Sequence, residues 1–167
     1  MDTDIMYVVA FVAVSVAGIV GWLIYLQRKS VLDESKKIEG SKMMQLQAYE
    51  RLSVLVDRIS LENVISRVSN PEFTSRDMQL AIIQSINQEF TYNISQQIYV
   101  TPETWGAVKN LKEQNILLLN QVGSILPPDT TGFAFNRAIL EFLSNDKRGK
   151  LHEIVSEVIS IEAKKLL

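Results

Sequence analysis

IMYVVAFVAVSVAGIVGWLIYL, residues 5–26, decides the fold. No charged residue interrupts it, and Ser15 is its only strongly polar side chain. As a helix rising 1.5 Å per residue it would reach about 33 Å, against a hydrocarbon core about 30 Å thick. A buried soluble helix of that length would show a polar stripe, and this stretch has none. An uncleaved transmembrane helix is expected. A cleaved signal peptide would open with a positive segment and have a shorter apolar core. Here Asp2 and Asp4 come first, and the run continues past Ala17 and Gly18. Tyr7 near one end, and Trp22 and Tyr25 near the other, suit the aromatic belts of the two interfaces.

The flanks set an orientation. Asp2 and Asp4 stand on one side; Arg28, Lys29, Lys36 and Lys37 stand on the other. The excess of Lys and Arg marks the cytoplasmic side, so residues 1–4 are expected outside and nearly everything after residue 26 inside. Within the span, Ala10, Ala13, Ala17 and Gly21 form one small-residue face. Such a face lets two membrane helices approach closely. The plainer reading is that alanine and glycine are common in membrane helices generally.

The rest of the composition mainly excludes. The chain has 167 residues, 47% hydrophobic and 22% charged, enough for one domain and an appendage. It has no cysteine, which removes disulfides, thiolate metal sites and cysteine nucleophiles, and fits a reducing compartment. Its one histidine, His152, argues against a histidine metal site or catalytic triad. The net charge is -2. Setting aside Asp2 and Asp4, 17 acidic residues face 17 basic ones, so there is no nucleic-acid footprint. No glycine pattern for phosphate binding occurs.

Residues 27–42 read as a polar juxtamembrane spacer, helical for part of its length. From residue 43 to 167 the helical period dominates. Met44, Leu46, Tyr49, Leu52, Leu55, Val56 and Ile59 make one apolar stripe. Ser60 is expected to cap a short helix containing Val64, Ile65 and Val68. Asn70-Pro71 stops it. Thr74 and Asp77 have capping-box spacing, opening a helix with Met78, Ile82, Ile83, Ile86, Phe90 and Ile94 on one face that runs to about Ser95. Gln97 to Val100 is expected to be an extended connector. Thr101-Pro102-Glu103 is a helix start, Pro127-Pro128 a stop, and two more amphipathic stretches follow around Phe135–Leu143 and Leu151–Ala163. The expected fold class is all-α: one N-terminal transmembrane helix and a cytoplasmic bundle of about five helices.

Chemistry-bearing residues are sparse. Glu153 and Glu157 share a helix face, but metal-bridging bundles draw carboxylates from several helices, so a solvated face is the better reading. Tyr92, Asn93, Gln96, Gln97 and Tyr99 mix amides and aromatics. They either satisfy backbone groups between two helices or form a recognition surface. Glu50 and Arg51 interrupt an apolar stripe, which leaves room for a buried pairing with another helix.

Gln47-Ala-Tyr-Glu-Arg-Leu52, Asp57-Arg-Ile59, Glu89-Phe90 and Gln96-Gln-Ile-Tyr-Val100 with Trp105 resemble an uncharacterised family of bacterial proteins from the Bacteroidota. The resemblance implies one N-terminal span, a helical cytoplasmic domain and the bacterial inner membrane. It implies no activity, cofactor or site residue. The chain is therefore expected to be a non-enzymatic adaptor or accessory subunit of a larger membrane complex. Its expected partners are the lipid bilayer through residues 5–26 and other inner-membrane proteins or itself, with no cofactor, metal or nucleic acid. A membrane-tethered sensor is the alternative, with Asn115, Gln96 or His152 as polar contacts.

Overall fold

The computed structural model describes the backbone of residues 2–145 and 150–167, and the side chains of residues 18–30, 36–145 and 150–167. Every regular element among them is helical: α1 (Asp2–Ile59), α2 (Leu61–Val68), α3 (Ser75–Tyr92), a 3-10 helix (Ile94–Ile98), α4 (Pro102–Ile125), α5 (Gly132–Asn145) and α6 (Leu151–Lys164). The chain divides into two units, residues 1–43 and 44–167.

The first unit is α1 alone. Its backbone is helical through residues 27–42, where helix was expected for only part. Ile19, Trp22, Leu23, Ile24 and Tyr25 are exposed, and a Cβ added at Gly21 would meet nothing within 4 Å. Arg28, Lys29, Lys36 and Lys37 are exposed as well. Among the described residues no helix is long and apolar enough to cross a membrane. Residues 5–17, most of the expected span and including Ala10, Ala13 and Ala17, lie outside the described side chains.

The second unit closes around one core. Leu52, Leu55, Val56 and Ile59 of α1 share it with Met78, Ile82 and Ile86 of α3, Leu111 and Leu119 of α4, and Phe135 and Ile139 of α5. The helix α3 packs against α2, α4 and α5, and α4 packs against α6. The close approach of α3 and α4 depends on Gly123. A Cβ there would lie 2.6 Å from the buried Gln79 side chain, which donates to Leu119 O at 3.3 Å and Asn120 Oδ1 at 3.0 Å.

The end of α1 shows how the domain satisfies polar groups without a glycine stop. No described residue has a positive φ. A helix leaves its last carbonyls without intrahelical partners, and here side chains supply them. Asp57 O accepts from Ser60 Oγ at 2.8 Å and from Asn63 Nδ2 at 3.0 Å. Arg58 O accepts from Arg67 Nη2 at 2.8 Å. Ile59 O accepts from the buried Asn115 Nδ2 at 2.8 Å. Ser60 therefore does not cap α2 with its side chain, as its sequence position suggested; its hydroxyl turns back to α1.

Two threonines behave as expected. Thr74 closes a reciprocal box with Asp77: Asp77 N–H donates to Thr74 Oγ1, and Thr74 N–H donates to the Asp77 carboxylate. Thr101 Oγ1 accepts from Thr104 N–H at 3.3 Å, with Pro102 opening α4. Among the described residues the only extended pairing is one antiparallel bridge, Thr74 with Thr131, which ties the starts of α3 and α5 together.

Candidate recognition surface

Between Asp77 and Glu103 the chain carries one charged side chain, Glu89, in a protein that is 22% charged. This gap covers α3 from Met78 onward, the 3-10 helix and the start of α4. One face of α3 is spent on the core through Met78, Ile82, Ile86 and Phe90. The other face carries Leu80, Ile83, Gln84, Asn87, Gln88, Thr91 and Tyr92, which line a shallow open groove.

The helix α3 stops at Tyr92, three residues before the expected end, because Asn93 takes over its terminal groups. Asn93 N–H donates to Phe90 O at 3.1 Å, and its Nδ2 donates to Glu89 O at 2.9 Å. The chain then tightens instead of extending: Gln96 N–H donates to Asn93 O and Tyr99 N–H to Gln96 O, each at 3.0 Å. Thr101 N–H donates to the buried Tyr49 hydroxyl at 3.3 Å, anchoring the exit. The extended connector expected over Gln97 to Val100 is thus a 3-10 helix and its flank, held by local carbonyl bonds.

This geometry separates the five candidate residues. Asn93 and Gln96 are buried and serve the backbone turn. Tyr92 (80% exposed), Gln97 and Tyr99 face outward, with Ile94 and Ile98 (71% exposed) among them. Phe90 and Trp105 meet at a tilt of 32° with centroids 5.1 Å apart, and Lys112 Nζ sits 4.6 Å above the Phe90 ring. Exposed aromatic and aliphatic side chains in a stretch almost without charge are suited to contact with another macromolecule.

The one charge in the gap is neutralised. Arg58 Nε and Nη2 each lie 2.8 Å from Glu89 Oε1. Around this pair Glu50, Arg51, Val54, Tyr92 and Asn93 border a groove of about 330 Å³. Glu50 and Arg51 are exposed at its rim, so the buried pairing considered for them does not form. The polar residues considered for ligand contact are engaged or enclosed. Asn115 is committed to Ile59, Gln96 Nε2 donates to Ser95 Oγ, and His152 borders a void of about 10 Å³. Among the described residues no three metal-ligating side chains converge.

Sequence reasoning singled out the second half of this surface and missed Leu80, Gln84, Asn87 and Gln88. The signal that finds them is the charge gap itself, which begins at Met78. No curated protein and no solved structure matches the chain. A family model does match, over residues 4–166, and so covers the apolar N-terminal stretch and the helical domain together: the chain belongs to the family of unknown function DUF7935.

Proposed function

We propose that this chain is a single-pass protein of the bacterial inner membrane that works by contact, as a non-enzymatic adaptor or accessory subunit of a larger membrane complex. Its N-terminus lies outside, residues 5–26 span the bilayer, and the helical domain from residue 43 to 167 is cytoplasmic. The observation that carries the reading is the exposed, charge-free surface that runs from Tyr92, the last residue of α3, through the 3-10 helix to Tyr99. Interface centres are depleted in charge and enriched in aromatic side chains, and Tyr92, Ile94, Ile98 and Tyr99 answer that description. Trp22, Leu23 and Tyr25 support the anchor, since contiguous exposed apolar side chains demand a non-aqueous neighbour. The resemblance to Bacteroidota proteins supports the inner membrane.

Affinity purification of the tagged chain in mild detergent tests this. Tyr92→Ala with Ile98→Ala should strip the co-purifying subunits, whereas Ile154→Ala, an exposed apolar residue elsewhere, should not. Gly21→Leu should weaken the same association if the Ala10, Ala13, Ala17 and Gly21 face packs against a partner span. Because the native chain has no cysteine, Thr3→Cys and Ser160→Cys report topology in the same cells. Labelling of Ser160→Cys from outside, or a full complement of subunits on the Tyr92 and Ile98 variant, sinks the proposal.

A further inference from the structure

Among the described residues, the exposed face of α3 is a seam without an occupant. Leu80, Gln84, Asn87 and Thr91 recur at spacings of four, three and four, with Gln88 and Tyr92 beside them. That spacing keeps them on one face of the helix. Helices α2, α4 and α5 cover α3 elsewhere, and the groove over this face is lined by α3 residues only. We infer that its occupant is the same face of a second copy, docked antiparallel about a two-fold axis near Ser85 and Ile86.

Charge and hydrogen-bonding capacity select a copy of this chain. An isologous contact lays a patch against itself, so any net charge on the patch would meet its own sign. This patch has none. The same gap removes the lysines and arginines that would draw α3 to anionic lipid. The polar groups in the middle of the stripe are amides, each both a donor and an acceptor. Antiparallel docking brings Gln84 of one copy to Asn87 and Gln88 of the other, so each side supplies what the other needs. The two ends of the stripe are unlike, and the same docking sets the Leu80 aliphatic chain against the Tyr92 ring of the copy.

The area makes this contact weak by itself. From Leu80 to Thr91 the stripe runs about 17 Å at 1.5 Å per residue, and one helix face of that length falls short of the roughly 800 Å² per partner typical of stable interfaces. The pairing gains effective concentration from two copies held in one membrane, and in this it rests on the anchored reading above.

Cross-linking of the full chain in native membranes with a short bis-maleimide tests it. Two copies of residue 87 would be about 5 Å apart along the helix axis, and two copies of residue 80 about 16 Å. Asn87→Cys should therefore link to itself. Leu80→Cys should not, but should link to Thr91→Cys on a co-expressed chain. Adding Gln84→Lys and Gln88→Lys to the Asn87→Cys chain sets like charges against each other and should lower the dimer at least about tenfold. Gln84→Glu with Gln88→Glu should do the same, and co-expression of the two charged chains should restore the dimer. Of the three changed amides Gln84 and Gln88 are exposed and Asn87 is half-buried, and unchanged circular dichroism checks the fold. A dimer indifferent to the lysines, no rescue by opposite charge, self-linking at residue 80 in place of 87, or an adduct with a different protein overturns the inference. Carbonate extraction of the same membranes separates the two readings: an extractable chain sinks the anchor, and the residue-87 cross-link decides the pairing in either case.

Discussion

Helix α1 treats the same side chain in two opposite ways. Leu23 is 58% exposed, whereas Leu52 is wholly buried, as are Leu55, Val56 and Ile59. The residue type and backbone conformation are shared; what differs is the presence of an opposing face. Around residues 48–59 the other helices of the domain supply one, and burying a leucine there is worth about 1.5–3 kcal/mol. The side chains of residues 18–26 are exposed. Helix propensity therefore does not separate the two stretches, and burial does. The amphipathic end of α1 is a component of the domain's core, whereas its side chains over residues 18–26 are exposed.

Substitution at the two leucines breaks or keeps that contrast. Leu52→Ala should cost the domain about 2–5 kcal/mol, the range for truncating a buried leucine, read from the denaturant midpoint. Leu23→Ala should leave the same midpoint in place, since no domain contact is lost. Equal destabilisation by both would mean that protein, not lipid, covers residues 18–26.

A smaller effect is expected where α1 ends. The Asn115 amide is buried and gives its hydrogen bond to the Ile59 carbonyl. Asn115→Ala leaves that acceptor buried and unpaired, at about 1–3 kcal/mol. Asn115→Leu would match the bulk without restoring the donor, so it should recover little. Recovery to the native midpoint by leucine would show that Asn115 contributes packing rather than its amide.

What the sequence made legible follows from how local each cause is. The Thr74 and Thr101 caps are set within four residues, and both stand where the spacing predicts. The core stripes of α1 and α3 follow the 3.6-residue period and emerge at the expected faces except at Met44 and Ile94, which are exposed. The misses are non-local or competitive. Ser60 looks like a cap, but the open carbonyl of Asp57 takes its hydroxyl. Asn93 looks like a residue inside α3, yet its amide closes back on Glu89 and ends the helix. Gln97 to Val100 has strand-like composition, but a 3-10 turn satisfies its backbone locally and no second strand is needed. The candidate surface was half legible: its aromatics were conspicuous, while Leu80, Gln84, Asn87 and Gln88 needed the missing charges to be read as a feature.

The mildest test leaves the core untouched and works at the start of α3. The Thr74 hydroxyl donates to the Asp77 carboxylate at 2.6 Å and the Thr74 N–H at 3.2 Å, and these bonds hold the Asp77 carboxyl below the ordinary aspartate range. A carboxyl whose folded-state pKa is depressed adds stability above its unfolded pKa and loses it as pH falls through the folded value. The group is exposed, so solvent screens the effect and it should be small. At neutral pH the native chain should unfold slightly later than Asp77→Asn. The gap should close in acid, below the ordinary aspartate pKa, once the carboxyl is protonated and can no longer accept as an anion. Thr74→Val, which keeps the shape but removes both the hydroxyl donor and the cap acceptor, should abolish most of this pH dependence while lowering stability at every pH. A gap between the native chain and Asp77→Asn that persists unchanged in acid would show that the box acts through geometry alone. The charge on Asp77 would then add nothing to the favourable field at the N-terminus of α3.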